Sequence, residues 1–274
     1  MEKKPFIKIS RLRKTLDGVE ILKGIDLAIH KGEIMAVIGA SGAGKSVSLK
    51  CITGLFQPDS GAVFIGGRDI TGMGMRELNK VRSGFGVLFQ SGALFDSLNV
   101  YHNVAFPLKE KTRLKDSEIA KRVTKALSDV HLKDVEEKYP AELSGGMKKR
   151  VALARAIISN PDIIFFDEPT TGLDPVLKQS IHELIIENHQ RHGFTGLIIS
   201  HEIPDIFDVA DRVAMLCDGK IIFCGKPDEI VRSQIPEVKS FIHIRDCGKY
   251  SWDTSWNDSM GAEGGIKREL DKEG

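Results

Sequence analysis

An α/β fold with a mainly parallel core sheet is predicted by three features of the sequence. A glycine-rich loop stands between an apolar run of strand length, 33–38, and a segment that can open a helix, 47–52. Two further apolar runs, 163–166 and 197–200, lead directly into polar residues, as buried parallel strands do. The first 30 residues instead alternate apolar and polar side chains, which is typical of half-buried antiparallel strands. Asp-Gly pairs at 17–18 and 218–219 each predict the turn of a hairpin.

The glycine-rich loop matches the phosphate-binding pattern G-x-x-x-x-G-K-[ST]. Its glycines let several backbone N–H groups turn toward one point, and the following helix directs its positive end to the same place. A lysine at this position can reach the β- and γ-phosphates, and the serine hydroxyl can bind Mg²⁺. An ordinary turn between a strand and a helix gives no reason for that Lys-Ser pair. The predicted phosphate-binding residues are Gly39, Ala40, Ser41, Gly42, Ala43, Gly44, Lys45 and Ser46.

Two adjacent carboxylates, Asp167 and Glu168, follow the apolar run 163–166. Asp167 can hold Mg²⁺ through its water shell, and Glu168 can orient or deprotonate an attacking water. His201 ends the run 197–200, which we expect to lie parallel to the strand that carries Asp167. A histidine in that position can face the same phosphate pocket, although a lone histidine is more often structural.

Several polar residues admit a structural and a functional interpretation. Gln90 can be a strand cap or a surface residue, and Asp174 can cap the helix that follows it. Ser144 can cap a helix whose apolar stripe begins at Val151. The exposed glycines 145 and 146 would also make that helix start an anion site. The stretch 112–134 has helical apolar spacing and predicts an amphipathic packing helix.

Composition limits the classes of function. The formal net charge of +1 gives no electrostatic case for binding nucleic acid. The four cysteines are widely scattered and form no C-x-x-C pair, which favours reduced thiols in a cytosolic protein. We expect no signal peptide and no membrane span, because no apolar run approaches 18 residues. A membrane role would therefore depend on a partner.

In the order and separation of its motifs, the sequence resembles the ATP-binding-cassette (ABC) transporter ATPases over residues 5 to about 240. The motifs that carry the resemblance are the phosphate loop 39–46, Gln90, the run 143–147, Asp167 with Glu168, Asp174 and His201. The resemblance implies a P-loop fold with an N-terminal antiparallel β-subdomain and a helical subdomain at about 91–160. It also implies ATP hydrolysis that depends on Mg²⁺. The catalytic residues would be Lys45, Glu168 and His201. The metal ligands would be Ser46, Gln90 and Asp167. Nucleotide binding would involve the loop 39–46 together with Gln90, Ser144, Gly145, Gly146 and Asp174.

The resemblance further implies two partners. Two copies would meet head to tail with ATP between them, at the cytoplasmic face of the inner or plasma membrane. A permease helix would dock near Gln90, in a groove formed by residues 91–95. Three positions depart from the family pattern: Met147 replaces a glutamine, Val47 replaces a threonine, and Leu16 stands where an aromatic residue usually stacks on adenine. A leucine can pack against the base but offers no π face.

A finer resemblance rests on the segments 89–95 and 99–107 and on the Leu-Ser-Gly-Gly-Met run. These are similar to the ATPases that serve mammalian-cell-entry (MCE) domain lipid transporters, such as the Mla phospholipid system. That likeness implies lipid transport and an MCE-domain partner. The alternatives are an ATPase for a polar-solute transporter, a soluble ABC protein acting on ribosomes or DNA, and a scaffold that binds ATP without hydrolysis. The single cassette and the intact Glu168 and His201 disfavour the last two.

Residues 241–274 form a predicted C-terminal tail in which Trp252 and Trp256 are isolated apolar residues. Such a tail is either disordered or binds a partner. If it turns helical, both indoles share one face, and we expect it to pack across the second ATPase copy.

Lys45→Ala is expected to abolish ATP binding, because it removes the full positive charge of the phosphate loop. Equilibrium titration with a fluorescent ATP analogue checks this. Wild-type affinity in the variant would show that the loop assignment is wrong.

Overall fold

The structure is a computed structural model that describes residues 4–245. The predicted tryptophan-bearing stretch of the tail lies outside the described residues. Within them, no helix is both long and apolar enough to cross a membrane. The fold class predicted from the sequence is confirmed, since an antiparallel sheet, a mainly parallel sheet and a set of helices are all present.

The N-terminal sheet is antiparallel and has the order β2-β1-β4-β5. Its first two strands pair as a hairpin from Ile7↔Ile29 to Leu16↔Val19, so the turn falls at Asp17 and Gly18 as predicted. The alternating apolar residues of these strands face the second sheet and pack with it in one core. The strands are β1 (Ile7–Leu16), β2 (Val19–Ile29), β4 (Ser60–Ile65) and β5 (Arg68–Asp69).

The second sheet holds the strands that lead into the predicted site, in the order β10-β9-β3-β8-β7-β6. All neighbours from β9 to β6 run parallel, and β10 pairs antiparallel with β9. Their near-continuous apolar sequence follows from burial on both faces. The strands are β3 (Ile34–Ile38), β6 (Phe85–Leu88), β7 (Ile163–Asp167), β8 (Thr195–Ser200), β9 (Arg212–Cys217) and β10 (Lys220–Gly225).

Helices cover the remaining faces of the sheet, and a cluster of three of them lies between β6 and β7 in sequence. The cluster consists of α3 (Val100–Lys111), α4 (Asp116–Asp129) and α5 (Gly145–Ile157). The other helices are α1 (Lys45–Ile52), α2 (Met75–Arg82), α6 (Pro175–His192), α7 (Pro227–Val231) and α8 (Pro236–Arg245), with short 3₁₀ turns at Pro140–Glu142 and Asp205–Asp208.

Helix bounds differ from the sequence predictions in three places. The predicted helix 112–134 is limited to α4, because 112–115 connects two helices and His131 takes a left-handed backbone with φ 56°. Helix α1 begins at Lys45 and not at Val47. Helix α8 begins at Pro236 and crosses the predicted start of the tail at residue 241.

Phe165→Ala tests the core on which the site stands. Phe165 is 0% exposed and lies edge-on to Phe85, with ring centroids 5.1 Å apart. We expect the truncation to lower the free energy of unfolding by about 3–5 kcal/mol, measured by urea denaturation. Leu55→Ala is the matched control, because Leu55 is 59% exposed and its truncation should cost less than about 0.5 kcal/mol. Equal effects of the two changes would contradict this core assignment.

Candidate functional site

The phosphate loop takes its shape from close contact with neighbouring backbone. Gly39 has φ 152°, and a Cβ there would lie 2.2 Å from the carbonyl oxygen of Leu216 on β9. A Cβ at Gly44, where φ is 102°, would press on Leu22 and on the Ile21 carbonyl. Only glycine fits both positions. The loop therefore turns directly from β3 into α1, which points the N–H groups of its first turn toward the loop.

Lys45 is buried within this loop. Its ammonium nitrogen donates to the carbonyl oxygens of Gly39, at 2.8 Å, and Ala40, at 2.9 Å. These bonds hold a full positive charge at the mouth of the helix, where an anionic phosphate would gain most from it. Beside the loop, a groove of about 690 Å³ separates residues 40–43 from helix α8.

Ser46 and Asp167 come together where a metal ion is expected. The Ser46 hydroxyl lies 3.5 Å from the Asp167 carboxylate, although the two residues are far apart in sequence. Burial, followed by the neighbouring Glu168 charge, raises the pKa of Asp167. A divalent cation would favour the charged form, and Mg²⁺ prefers such oxygen ligands. The pair therefore fits Mg²⁺, held directly or through water.

The Glu168 carboxylate is the meeting point of several segments. Gln90 Nε2 donates to Glu168 Oε2 at 3.1 Å, and the Thr171 hydroxyl donates to the same oxygen at 3.0 Å. His201 Nδ1 lies 2.9 Å from the other oxygen, Oε1. The ends of β6, β7 and β8 are thus joined through one side chain. Such bonds fix the direction of the carboxylate, as the predicted role of Glu168 as a general base requires.

Glu168 also has an unusual backbone. Its φ is 48°, in the left-handed region, while its N–H donates to Ile199 O at 2.9 Å. A non-glycine residue in this region costs on the order of 1–3 kcal/mol and persists where its surroundings determine it. The turn directs Glu168 away from the axis of β7 and toward Gln90 and His201.

A partly buried network lies beside His201 in the chain. Glu202, the next residue, accepts a 2.6 Å hydrogen bond from Thr170 and pairs with Lys178 at 2.7 Å. Burial raises the pKa of Glu202, but the bonds from Lys178 and Thr170 outweigh it and lower that pKa overall. The network ties the loop after β7 and helix α6 to the segment after β8.

The other predicted nucleotide-binding residues lie on a different part of the surface. Ser144 caps α5 by accepting from Met147 N at 3.3 Å, and Asp174 caps α6 by accepting from Leu177 N at 3.0 Å. These two helix starts pack together, since a Cβ at Gly146 would lie 3.1 Å from the Leu177 side chain. The prediction that both glycines are exposed is therefore wrong for Gly146, which is buried, and holds for Gly145. The structural interpretation of both caps is confirmed, and their nucleotide contacts stay predictions.

If the apolar run 84–90 is taken as one strand, it predicts that Gln90 ends the strand on its buried side. This prediction is wrong: β6 ends two residues earlier, and Gln90 is exposed. Its predicted place at the metal stays a prediction. Thr171, Lys149 and Asn103 were missed altogether. Lys149 shares a helical face with Ala152, Leu153 and Ala156, all buried, and this spacing was a signal that could have identified it.

Comparisons with known proteins identify the family. Residues 22–171 match the family model described as ABC transporter. A probable ribonucleotide transport ATP-binding protein of Mycobacterium tuberculosis is 41% identical over 242 residues, which are 88% of this chain and 67% of that protein. The MlaF ATP-binding protein of an intermembrane phospholipid transport system in Escherichia coli is 39% identical over 222 residues, 81% of this chain and 82% of its own.

A solved structure is similar over the whole cassette. It is described as the dimeric post-hydrolysis state of the ATP-binding cassette MJ0796 bound to ADP and Pi. Its TM-score is 0.75 at 32% identity, and the match covers 81% of this chain and 98% of that one.

Glu168→Gln is expected to lower ATP turnover by about 10²–10⁴-fold while ATP binding persists. The amide keeps the size of the side chain but cannot take a proton from water. Phosphate release and analogue titration measure the two quantities. Glu183→Gln on the exposed face of α6 is the control and should keep wild-type turnover. A Glu168→Gln protein with more than about half of the wild-type rate would place the base elsewhere.

Proposed function

The chain belongs to the ABC transporter family, and from that premise we propose that it is the ATP-hydrolysing subunit of a transporter whose membrane-spanning part is a separate permease. The observation that carries the proposal is the cluster around Glu168. Gln90, Thr171 and His201 all contact this carboxylate, next to the Ser46–Asp167 pair and the phosphate loop. These parts are what phosphoryl transfer requires, namely a phosphate cradle, a metal site and a positioned base.

In the proposed mechanism, the residues of this chain act mainly by positioning and by charge. The phosphate loop and Lys45 hold the β- and γ-phosphates, and Ser46 with Asp167 holds Mg²⁺, which would neutralise the charge that develops during transfer. Glu168 orients the attacking water and takes its proton. His201, 2.9 Å from Glu168, fixes the direction of that carboxylate.

A second copy of the chain would complete each site. Ser144, Gly145 and Asp174 stand at exposed helix starts that pack against each other at Leu173 and Leu177. In a head-to-tail dimer, these starts would meet the phosphate loop of the other copy, so that ATP bridges the two subunits in two equivalent sites. Loss of the γ-phosphate would remove the bridge and reopen the dimer.

An exposed aromatic pair favours permease docking beside Gln90. The rings of Phe95 and Phe106 lie 4.8 Å apart between centroids, and Phe95 is 43% exposed. Asn103 is fully buried and fixes this position, because it accepts from Phe95 N at 2.8 Å and donates to Phe95 O at 3.0 Å. A rigid, exposed aromatic pair is the kind of surface that receives an apolar helix.

The cargo is proposed to be phospholipid, with an MCE-domain protein as a further partner. The support is the MlaF relative together with the Leu-Ser-Gly-Gly-Met run and the segments 89–95 and 99–107. The subunit would then lie at the cytoplasmic face of the inner or plasma membrane. The name of the M. tuberculosis relative favours a second candidate, transport of a polar solute such as a ribonucleotide.

Reconstitution separates the two cargoes. The chain is co-expressed with its cognate permease, and the complex is placed in liposomes. We expect ATP-dependent transfer of a fluorescent phospholipid to acceptor vesicles, and no such transfer with Glu168→Gln. Uptake of labelled ribonucleotide without lipid transfer would support the polar-solute alternative. The presence of an MCE-domain gene next to the permease gene would support the lipid assignment.

Phe95→Asp is expected to weaken permease binding at least tenfold, because a charge replaces the apolar contact, while affinity for ATP stays within about twofold. Pull-down of the permease and analogue titration measure these separately. Met75→Asp introduces the same charge at an exposed apolar residue on α2 and is the control. Equal permease binding by both variants and wild type would rule out this docking surface.

A further inference from the structure

The loop that carries Gln90 is fastened to helix α5 by two cationic side chains. Lys149 Nζ donates to the main-chain carbonyl of Gln90 at 2.5 Å. Arg155 donates to the next part of the loop, from Nη2 to Gly92 O at 2.6 Å and from Nη1 to Ala93 O at 2.7 Å. The main chain of this loop is therefore attached to α5, which begins at the Ser144–Gly145–Gly146 helix start.

Lys149 is the unusual member of this attachment. It is 5% exposed, and burial lowers its pKa. Among residues 4–245, no carboxylate lies within 4.0 Å of its ammonium nitrogen, although the charges of Glu202, Glu168 and Asp167 act on it from farther away. Burying an ammonium group without an ion pair is costly, and an apolar side chain would fill the same space at lower cost. Its position is explained by the bond that it makes to Gln90.

Gln90 is bonded in two directions. Its main-chain oxygen accepts from Lys149 on α5, while its side-chain amide donates to Glu168 Oε2 at the end of β7. A shift of α5 relative to the sheet must therefore move the main chain of Gln90 and act on the hydrogen bond to Glu168. Arg155 supports the loop farther along, so Lys149 is the side chain that sets the position of Gln90 itself.

We propose that Lys149 is a positioning residue that transmits the position of the Ser144–Gly145–Gly146 helix start to the catalytic carboxylate through Gln90. When a partner copy and its nucleotide engage this helix start, α5 carries the Gln90 carbonyl with it. The Gln90 amide then moves with respect to Glu168. The proposal rests on the proposed function, and it gives Gln90 the role of orienting the Glu168 carboxylate through its side-chain amide.

The test is a double-mutant cycle on the full-length protein, with steady-state ATP hydrolysis as the readout. Lys149→Met removes the donor, Lys149→Arg keeps one, and Gln90→Ala removes the amide. We expect Lys149→Met to lower kcat about tenfold with KM for ATP within about twofold, and Lys149→Arg to keep at least half of wild-type kcat. In the Gln90→Ala background, Lys149→Met should cause no further loss, because its effect passes through that amide.

Several outcomes would overturn the proposal. Full additivity in the cycle would mean that Lys149 acts independently of Gln90. Wild-type kcat in Lys149→Met would remove any role in turnover. Wild-type kcat in Gln90→Ala would first contradict the role proposed for Gln90, and the dependent inference with it, whereas a low Gln90→Ala rate with an additive Lys149 effect contradicts this inference alone.

Structural damage is controlled in two ways. Lys121→Met removes a lysine from the exposed face of α4 and should leave kcat unchanged. The cycle is also run with Lys149→Leu, which likewise has no donor, so that a folding defect in one variant does not decide the result. A general loss of stability would change the unfolding temperature and would add to the effect of Gln90→Ala, which is the opposite of the expected non-additivity.

Discussion

The hydrogen bonds to the Glu168 carboxylate hold the candidate site together. Gln90 follows β6, Thr171 lies in the loop after β7, and His201 follows β8, yet all of them contact this one group. Parallel strands make this possible, because their carboxyl ends meet at the same edge of the sheet. The left-handed backbone at Glu168 brings the side chain to that meeting point, and the hydrogen bonds offset part of its conformational cost.

The same region concentrates negative charge in a partly buried volume. The negative charges are the carboxylates of Asp167, Glu168 and Glu202, and all of them act on the Lys149 ammonium group. Burial, followed by the Glu168 charge, raises the pKa of Asp167. Positive charge near these carboxylates comes from two different helices. Lys178 on α6 pairs with Glu202, and Lys149 on α5 lies within electrostatic range of all three carboxylates. The site thus depends on side chains from α5 and α6 as well as on the ends of the strands.

Local patterns predicted the fold well, since the strand before the phosphate loop, the hairpin turns and the caps at Ser144 and Asp174 depend on near neighbours in sequence. Helix α3 was not predicted, because it contains Pro107, which is unfavourable inside a helix. Its start also depends on a cap, in which the Asn99 side chain accepts a hydrogen bond from His102 N. The bonds of Gln90 and His201 to Glu168 and the Lys149–Gln90 bond join residues 33 to 78 positions apart. Short-range periodicity cannot specify such pairs, which depend on the order of the strands and on the packing of α5.

The close approach of Gly39 to Leu216 bears on how the protein is made. The phosphate loop is continuous in sequence, but both neighbours of β3 come much later: β8 at Thr195–Ser200 and β9 at Arg212–Cys217. A nascent chain that has left the ribosome only as far as β7 has no strand for either edge of β3. Long-range pairing of this kind forms slowly, and the chain is exposed until it does. The nucleotide site is therefore among the last parts of the cassette to assemble during synthesis, although its sequence emerges among the first.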